Sequence, residues 1–131
     1  MTQYLSGEEI LYIHHQIIET VGGSHGVRDM NLFLSTVERP QSNIFGEEQF
    51  PTVFAKAGAY LENFAQYQMF VDGNKRTGLA TAARFLFINN FVFTATNKEV
   101  EEFVMKVATK EVELVEIAEW LERHSKPIKN S

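Results

Sequence analysis

Along most of the chain, apolar residues recur every three or four positions, the period of a helix buried on one face. Ile10, Ile13, Ile17 and Val21 form the first such stripe. It opens at Ser6-Gly7-Glu8-Glu9, a capping box in which the serine hydroxyl and the Glu9 carboxylate satisfy free backbone donors. Gly22-Gly23 closes it, because glycine takes the left-handed conformation without a steric penalty. Asp29 is placed to cap a shorter second helix through Asn31, Leu32, Leu34 and Val37, which Pro40 ends. Between Pro40 and Pro51 the helical period disappears. Asn43 and Gly46 there, with Ile44 and Phe45 between them, predict an ordered loop or small hairpin.

From Thr52 the period returns through Val53, Ala57, Tyr60, Leu61 and Phe64, predicting a third helix that runs to about Met69. A fourth starts within "DGNKRTG" and reaches Asn89-Asn90. Its stripe of Leu79, Ala82, Ala83, Leu86 and Phe87 mixes small and large residues, as in a central helix packed closely by its neighbours. "FVFTA", residues 91–95, reads as a short extended piece. Thr96-Asn97-Lys98-Glu99 is a second capping box, opening a helix through Val100, Phe103, Val104 and Val107. A last helix through Leu114, Ile117, Ala118 and Leu121 ends near His124, before Pro127. The expectation is one all-α domain over residues 1–131, a compact bundle of about six helices with one loop or hairpin insertion.

Composition narrows the function. The hydrophobic content of 44% is enough for a single core, and the net charge of −5 argues against direct nucleic-acid binding through a basic face. A phosphate ligand must therefore meet a local cationic cluster. With no cysteines, disulfide and thiolate-metal chemistry are excluded. The N-terminus lacks the layout of a signal peptide, and no apolar run approaches the roughly 20 residues of a membrane helix. A cytoplasmic protein with no membrane association is expected.

One cluster stands apart: Asp72, Gly73, Asn74, Lys75, Arg76 and Thr77 at a helix junction. Gly73 permits a tight turn, and the amides that follow point out of a helix N-terminus, which is an anion site. Lys75 and Arg76 add full positive charges where the helix dipole disfavours cations, an arrangement that makes sense when an anion binds. Asp72 can serve a magnesium ion bridging phosphates, and Asn74 can hydrogen-bond a phosphate oxygen. A Walker-type loop is excluded. Gly73 and Gly78 have its spacing, but Leu79 and Ala80 stand where Lys and Ser/Thr are required.

These residues resemble the signature of the Fic/Doc family: a histidine, any residue, Phe, two variable positions, Gly or Ala, Asn, a basic or glycine position, then Arg. Phe70, Asp72, Gly73, Asn74, Lys75 and Arg76 match it. Lys75 in place of glycine, and Leu79 where AMP-transferring members have a second arginine, resemble the Doc (death-on-curing) toxin branch. The likeness extends to "YLSGEEILYIHHQIIETVGGSHGVRD" and to the closing "EIAEWLERH". The resemblance implies a toxin of a toxin–antitoxin module that uses ATP and magnesium to phosphorylate a threonine of elongation factor Tu. By position it implies that Gly73, Asn74, Lys75 and Arg76 bind phosphates and that Asp72 serves the metal or orients the hydroxyl. It further implies that Ile44 and Phe45 dock the target from a flap, and that an antitoxin's C-terminal segment fills a groove beside the site.

One departure matters. The family's histidine, which takes the proton from the attacking hydroxyl, falls on Gln68. An amide has no useful basicity near neutral pH, and losing a general base typically costs roughly 10²–10⁴-fold in rate. Phosphoryl transfer relies mainly on positioning and electrostatics, so the remaining scaffold keeps most of its tools. Three functions stay open at this point: a disabled kinase-type toxin, an AMP transferase, and a non-catalytic nucleotide- or antitoxin-binding pseudoenzyme. Elsewhere, His14-His15 predict one packed and one exposed histidine. Arg28 predicts a structural ion pair more simply than a phosphate contact. Trp120 predicts a core or groove-wall position, and Ile44 and Phe45 are either docking residues or part of the core.

Overall fold

The computed structural model describes residues 1–128. Six helices make up the described fold: α1 (Gly7–Val21), α2 (Met30–Glu38), α3 (Val53–Gln66), α4 (Asn74–Ile88), α5 (Asn97–Ala108) and α6 (Leu114–Arg123). A 3₁₀ turn, Arg39–Gln41, follows α2. Local chemistry sets most of the starts. Ser6 and Thr96 form the two expected capping boxes, while Asp29 and Thr52 accept from the backbones of Leu32 and Ala55.

The insertion after the 3₁₀ turn is a hairpin of β1 (Asn43–Ile44) and β2 (Glu47–Glu48), paired with Ile44 opposite Glu47. The two turn residues, Phe45 and Gly46, both have positive φ, as tight hairpin turns matching the strand twist require. The "FVFTA" stretch supplies β3 (Phe91–Phe93), which pairs antiparallel with β4 (Ser125–Pro127) and ties the end of α4 to the segment after α6. Local pattern did not announce β4, since its partner lies more than 30 residues away.

The structure corrects one expectation. The third helix ends at Gln66 rather than near Met69. Residues 67–71 leave it because their backbone finds other partners: the Met69 carbonyl accepts from Arg28 and Asp29, and Val71 N–H donates to Gly26. α4 is closely packed as its small residues suggest, and α3 and α4 form the central pair of the bundle. Eight residues of α3 are buried, and it packs against α4, α5 and α6, whereas α4 leaves Phe87 half exposed with Arg84 stacked over its ring. Tyr60, Leu61, Phe64, Phe85, Leu86, Ile117 and Leu121 form the core between these helices. Trp120 joins it, stacked on Phe103 with ring centroids 4.1 Å apart.

Close approach of α3 and α4 depends on Gly78. A Cβ there would sit 2.6 Å from the Phe64 Cβ, closer than two carbons can approach. Gly78→Ala must push the central helix pair apart, and we expect a destabilisation of about 1–3 kcal/mol. It should appear as a lower urea midpoint with an unchanged slope, while an unaltered midpoint would show that the pair has slack.

Candidate active site

The loop between α3 and α4 is built around Phe70. Its ring is fully buried, stacked on His14 at 3.7 Å and nearly parallel to Phe64 at 5.9 Å. Phe33 of α2 packs against it at 5.6 Å. Its backbone is held as firmly. Phe70 N–H donates to Asn74 Oδ1 at 2.9 Å, and Asn74 Nδ2 donates to the Phe70 carbonyl at 3.0 Å. Phe70 also forms an antiparallel bridge with Val27. The loop is therefore zipped to residues 26–29 on one side and clamped by the first residue of α4 on the other.

Asp72 and Gly73 come next. One Asp72 carboxylate oxygen accepts from Ser24 N–H at 2.7 Å, and its carbonyl accepts from His14 Nε2 at 2.8 Å. Because a carbonyl can only accept, His14 carries its hydrogen on Nε2. Gly73, with φ of 81°, makes the left-handed turn into α4. No side chain caps this helix and its first turn has no acidic residue, in contrast to the capped starts of α1, α2, α3 and α5. The amides of Asn74, Lys75 and Arg76 precede the first intrahelical bond, which Thr77 N–H makes to Gly73. They lie beside the exposed side chains of Lys75 and Arg76. Helix dipole, free amides and two cations converge on one spot.

That spot opens into a cleft of about 550 Å³. Gln68, Asp72, Gly73, Asn74, Lys75 and Arg76 all line it, while Thr77 of the expected cluster is fully buried away from it. Its far wall is less polar, with Tyr67, Met105 and Ala108 beside Thr109. A second space of about 500 Å³ shares Lys75, Arg76 and Met105 and continues past Leu79. The two cations thus stand between two clefts.

Several residues take places that sequence alone left open or missed. Asn74 spends its amide on Phe70, which makes it an organiser of the loop between α3 and α4. Arg28 forms no ion pair among the described residues; its Nη1 donates instead to Gln68 Oε1 at 2.6 Å. His14 is buried and His15 exposed. Ile44 and Phe45 are both exposed at the hairpin tip, outside the core, and they do not line the cleft. The base of that hairpin is fixed instead: the buried Lys56 ammonium donates to Glu48 at 3.0 Å and to the Phe50 carbonyl, and Arg39 lies over the Phe50 ring. Lys56 gave no sequence signal, since it sits on a helix like any surface lysine.

Among the described residues no group of three or more His, Asp or Glu side chains could hold a metal by itself. Asp72 keeps one carboxylate oxygen beyond its bond to Ser24, so a hard cation there would take its other ligands from phosphate and water. No helix among the described residues is long and apolar enough to cross a membrane.

A loop of this build, a helix start bearing Asn-Lys-Arg behind a buried Phe, defines a class, and comparison with known proteins gives the same one. The model of the Fic/DOC family matches residues 4–86, and the chain belongs to that family. It is 37% identical over 120 residues to the toxin Doc of Mycolicibacterium smegmatis, covering 90% of each chain. It is 30% identical over 121 residues to the protein kinase doc of Escherichia phage P1, covering 92% of this chain and 94% of that one.

Two outcomes follow from the geometry. Asn74→Ala leaves both polar groups of Phe70 without partners and should cost about 1–3 kcal/mol in unfolding experiments. Burial holds the His14 imidazole below its ordinary value of 6.5, against the opposing hydrogen bond to Asp72. The folded chain therefore binds that proton less readily than the unfolded one, and the stabilisation is complete above 6.5 and lost as pH falls through the folded value. The urea midpoint should drop as the pH is lowered below 6.5, and His14→Gln should flatten that dependence.

Proposed function

We propose that the chain is the toxin of a toxin–antitoxin module, built on an ATP-dependent protein phosphotransferase site whose general base is missing. The observation behind this is the uncapped start of α4, where free amides, Lys75 and Arg76 face a cleft that Gln68 also lines. The relatives called toxin Doc and protein kinase doc support it. In this reading Lys75 and Arg76 hold donor phosphates, and the loop that Asn74 clamps presents its amides to them. The free oxygen of Asp72 would help hold a magnesium ion, which would supply neutralisation of phosphate charge if bound with ATP. A threonine hydroxyl of elongation factor Tu is the acceptor, guided by Ile44 and Phe45 at the exposed hairpin tip. An antitoxin's C-terminal segment is the natural inhibitor. Gln68 cannot take the hydroxyl proton, so transfer is slow or absent.

AMP transfer fits less well. It calls for a second cation where Leu79 packs against the core and lines the neighbouring cleft. A non-catalytic nucleotide- or antitoxin-binding role is favoured by one observation, the engagement of the Gln68 amide by Arg28, which makes residue 68 a held polar group rather than a free one.

Inducible expression of this sequence beside Gln68→His tests the proposal, together with transfer of γ- or α-labelled phosphate from ATP onto elongation factor Tu. Growth arrest and γ-label transfer by the histidine form alone are expected, with a gain of roughly 10²–10⁴-fold in rate. Lys75→Ala and Arg76→Ala should each weaken ATP binding by about tenfold to a hundredfold. Absence of toxicity and label transfer in both forms would make the chain a binding protein on this fold, and α-label transfer would make it an AMP transferase.

A further inference from the structure

Residue 68 sits where a proton acceptor is expected, but its surroundings fix it differently. Arg28 Nη1 lies 2.6 Å from Gln68 Oε1. A guanidinium has five donors and no acceptor, so only the oxygen of an amide can face it. That settles the orientation of the side chain on chemical grounds, where an amide alone would be ambiguous. Arg28 itself is held in place, because its own N–H donates to the Met69 carbonyl at 2.8 Å, one residue from Gln68. The next residue, Asp29, donates to the same carbonyl at 3.1 Å and caps α2. Gln68 lines the cleft and Arg28 does not. With the amide oxygen taken by Arg28, the NH₂ group is the part of Gln68 left to serve the cleft that Lys75 and Arg76 also line.

From this we propose that Gln68 is an anion-binding donor, oriented by Arg28 as a positioning residue, and that it hydrogen-bonds a phosphoryl oxygen of the ligand held at the start of α4. The inference rests on the reading of that helix start as a phosphate site. The arrangement is the electrostatic reverse of a base. The cationic partner withdraws density from the amide oxygen and sharpens the N–H donors, which suits an oxygen anion and repels a hydroxyl proton. Residue 68 then adds to the grip on the donor instead of activating the acceptor.

The test is a titration of the full chain with inorganic pyrophosphate, followed by ¹⁵N NMR of the Gln68 side-chain NH₂ and of the Lys75 and Arg76 backbone amides. Gln68→Met identifies the side-chain signals by their disappearance. All three sets of signals should move together with one dissociation constant. Gln68→Glu keeps an acceptor for Arg28 but removes the donor and adds a negative charge, so it should weaken pyrophosphate at least about tenfold. Gln68→Met should weaken it less. Arg28→Ala should shift the Gln68 NH₂ signals before any ligand is added and lower affinity, and Arg28→Lys should restore both, a pattern that a purely structural arginine would not produce. If the Lys75 and Arg76 amides respond while Gln68 does not, or if Gln68→Glu binds as tightly as the parent, the proposal is overturned and the anion site stands. If none of the three responds, the anion site falls and the proposal with it.

Discussion

The burial of Phe70 is the constraint on which the site depends. One aromatic ring is shared by α1 through His14, α2 through Phe33 and α3 through Phe64, while its backbone is locked to α4 by the Asn74 amide. Stacked and tilted rings at these distances add to the ordinary gain of burying an aromatic side chain. The loop that follows has little freedom left. Asp72 is tied to the turn after α1, and Gly73 turns directly against Ile18 and His14. A mobile loop would have to be ordered by a ligand, and this one is ordered by the hydrophobic core.

Preorganisation explains why the start of α4 tolerates an unfavourable arrangement. Lys75 and Arg76 lie at the positive end of the helix dipole, with neither a side-chain cap nor an acidic residue to offset them. The strain between like charges is relieved when an anion enters, so the same feature that weakens the helix start favours a ligand. Burial elsewhere supplies the difference. The close contact of α3 and α4 at Gly78, and of α3 with Leu114 and Ile117 of α6 at Gly58, gives the bundle a dense centre against which the charged end is held.

Around this rigid centre the accessory parts divide into fixed bases and exposed tips. The hairpin is anchored by a buried lysine and by the ring of Phe50 beneath Arg39, yet it ends in a fully exposed Phe45. Arg28 follows the same logic: its backbone is part of the zipper to Met69, and its side chain governs the group that faces the cleft. Fixed supports of this kind decide chemistry at one remove, since an arginine that never enters the cleft determines whether residue 68 offers a donor or an acceptor.

Local sequence was enough to determine the helix starts at Ser6, Asp29, Thr52 and Thr96, the break at Gly22-Gly23 and the hairpin insertion between Pro40 and Pro51. Each is specified by side chains within a few positions of the backbone they satisfy. The lack of a basic side chain at position 68 was legible for the same reason, because a glutamine amide has no useful basicity near neutral pH. Tertiary structure alone decided the end of α3, the inward turn of the Asn74 amide, the burial of Lys56, the pairing of β3 with β4 and the hydrogen bond from Arg28 to Gln68. Several of those features join segments far apart in the chain, 40 residues in the case of Arg28 and Gln68, and the pairing forms only once packing has brought the partners together. Propensity and periodicity report how a segment satisfies its own backbone, whereas the partner of a side chain is set by which distant surface the core presses against it.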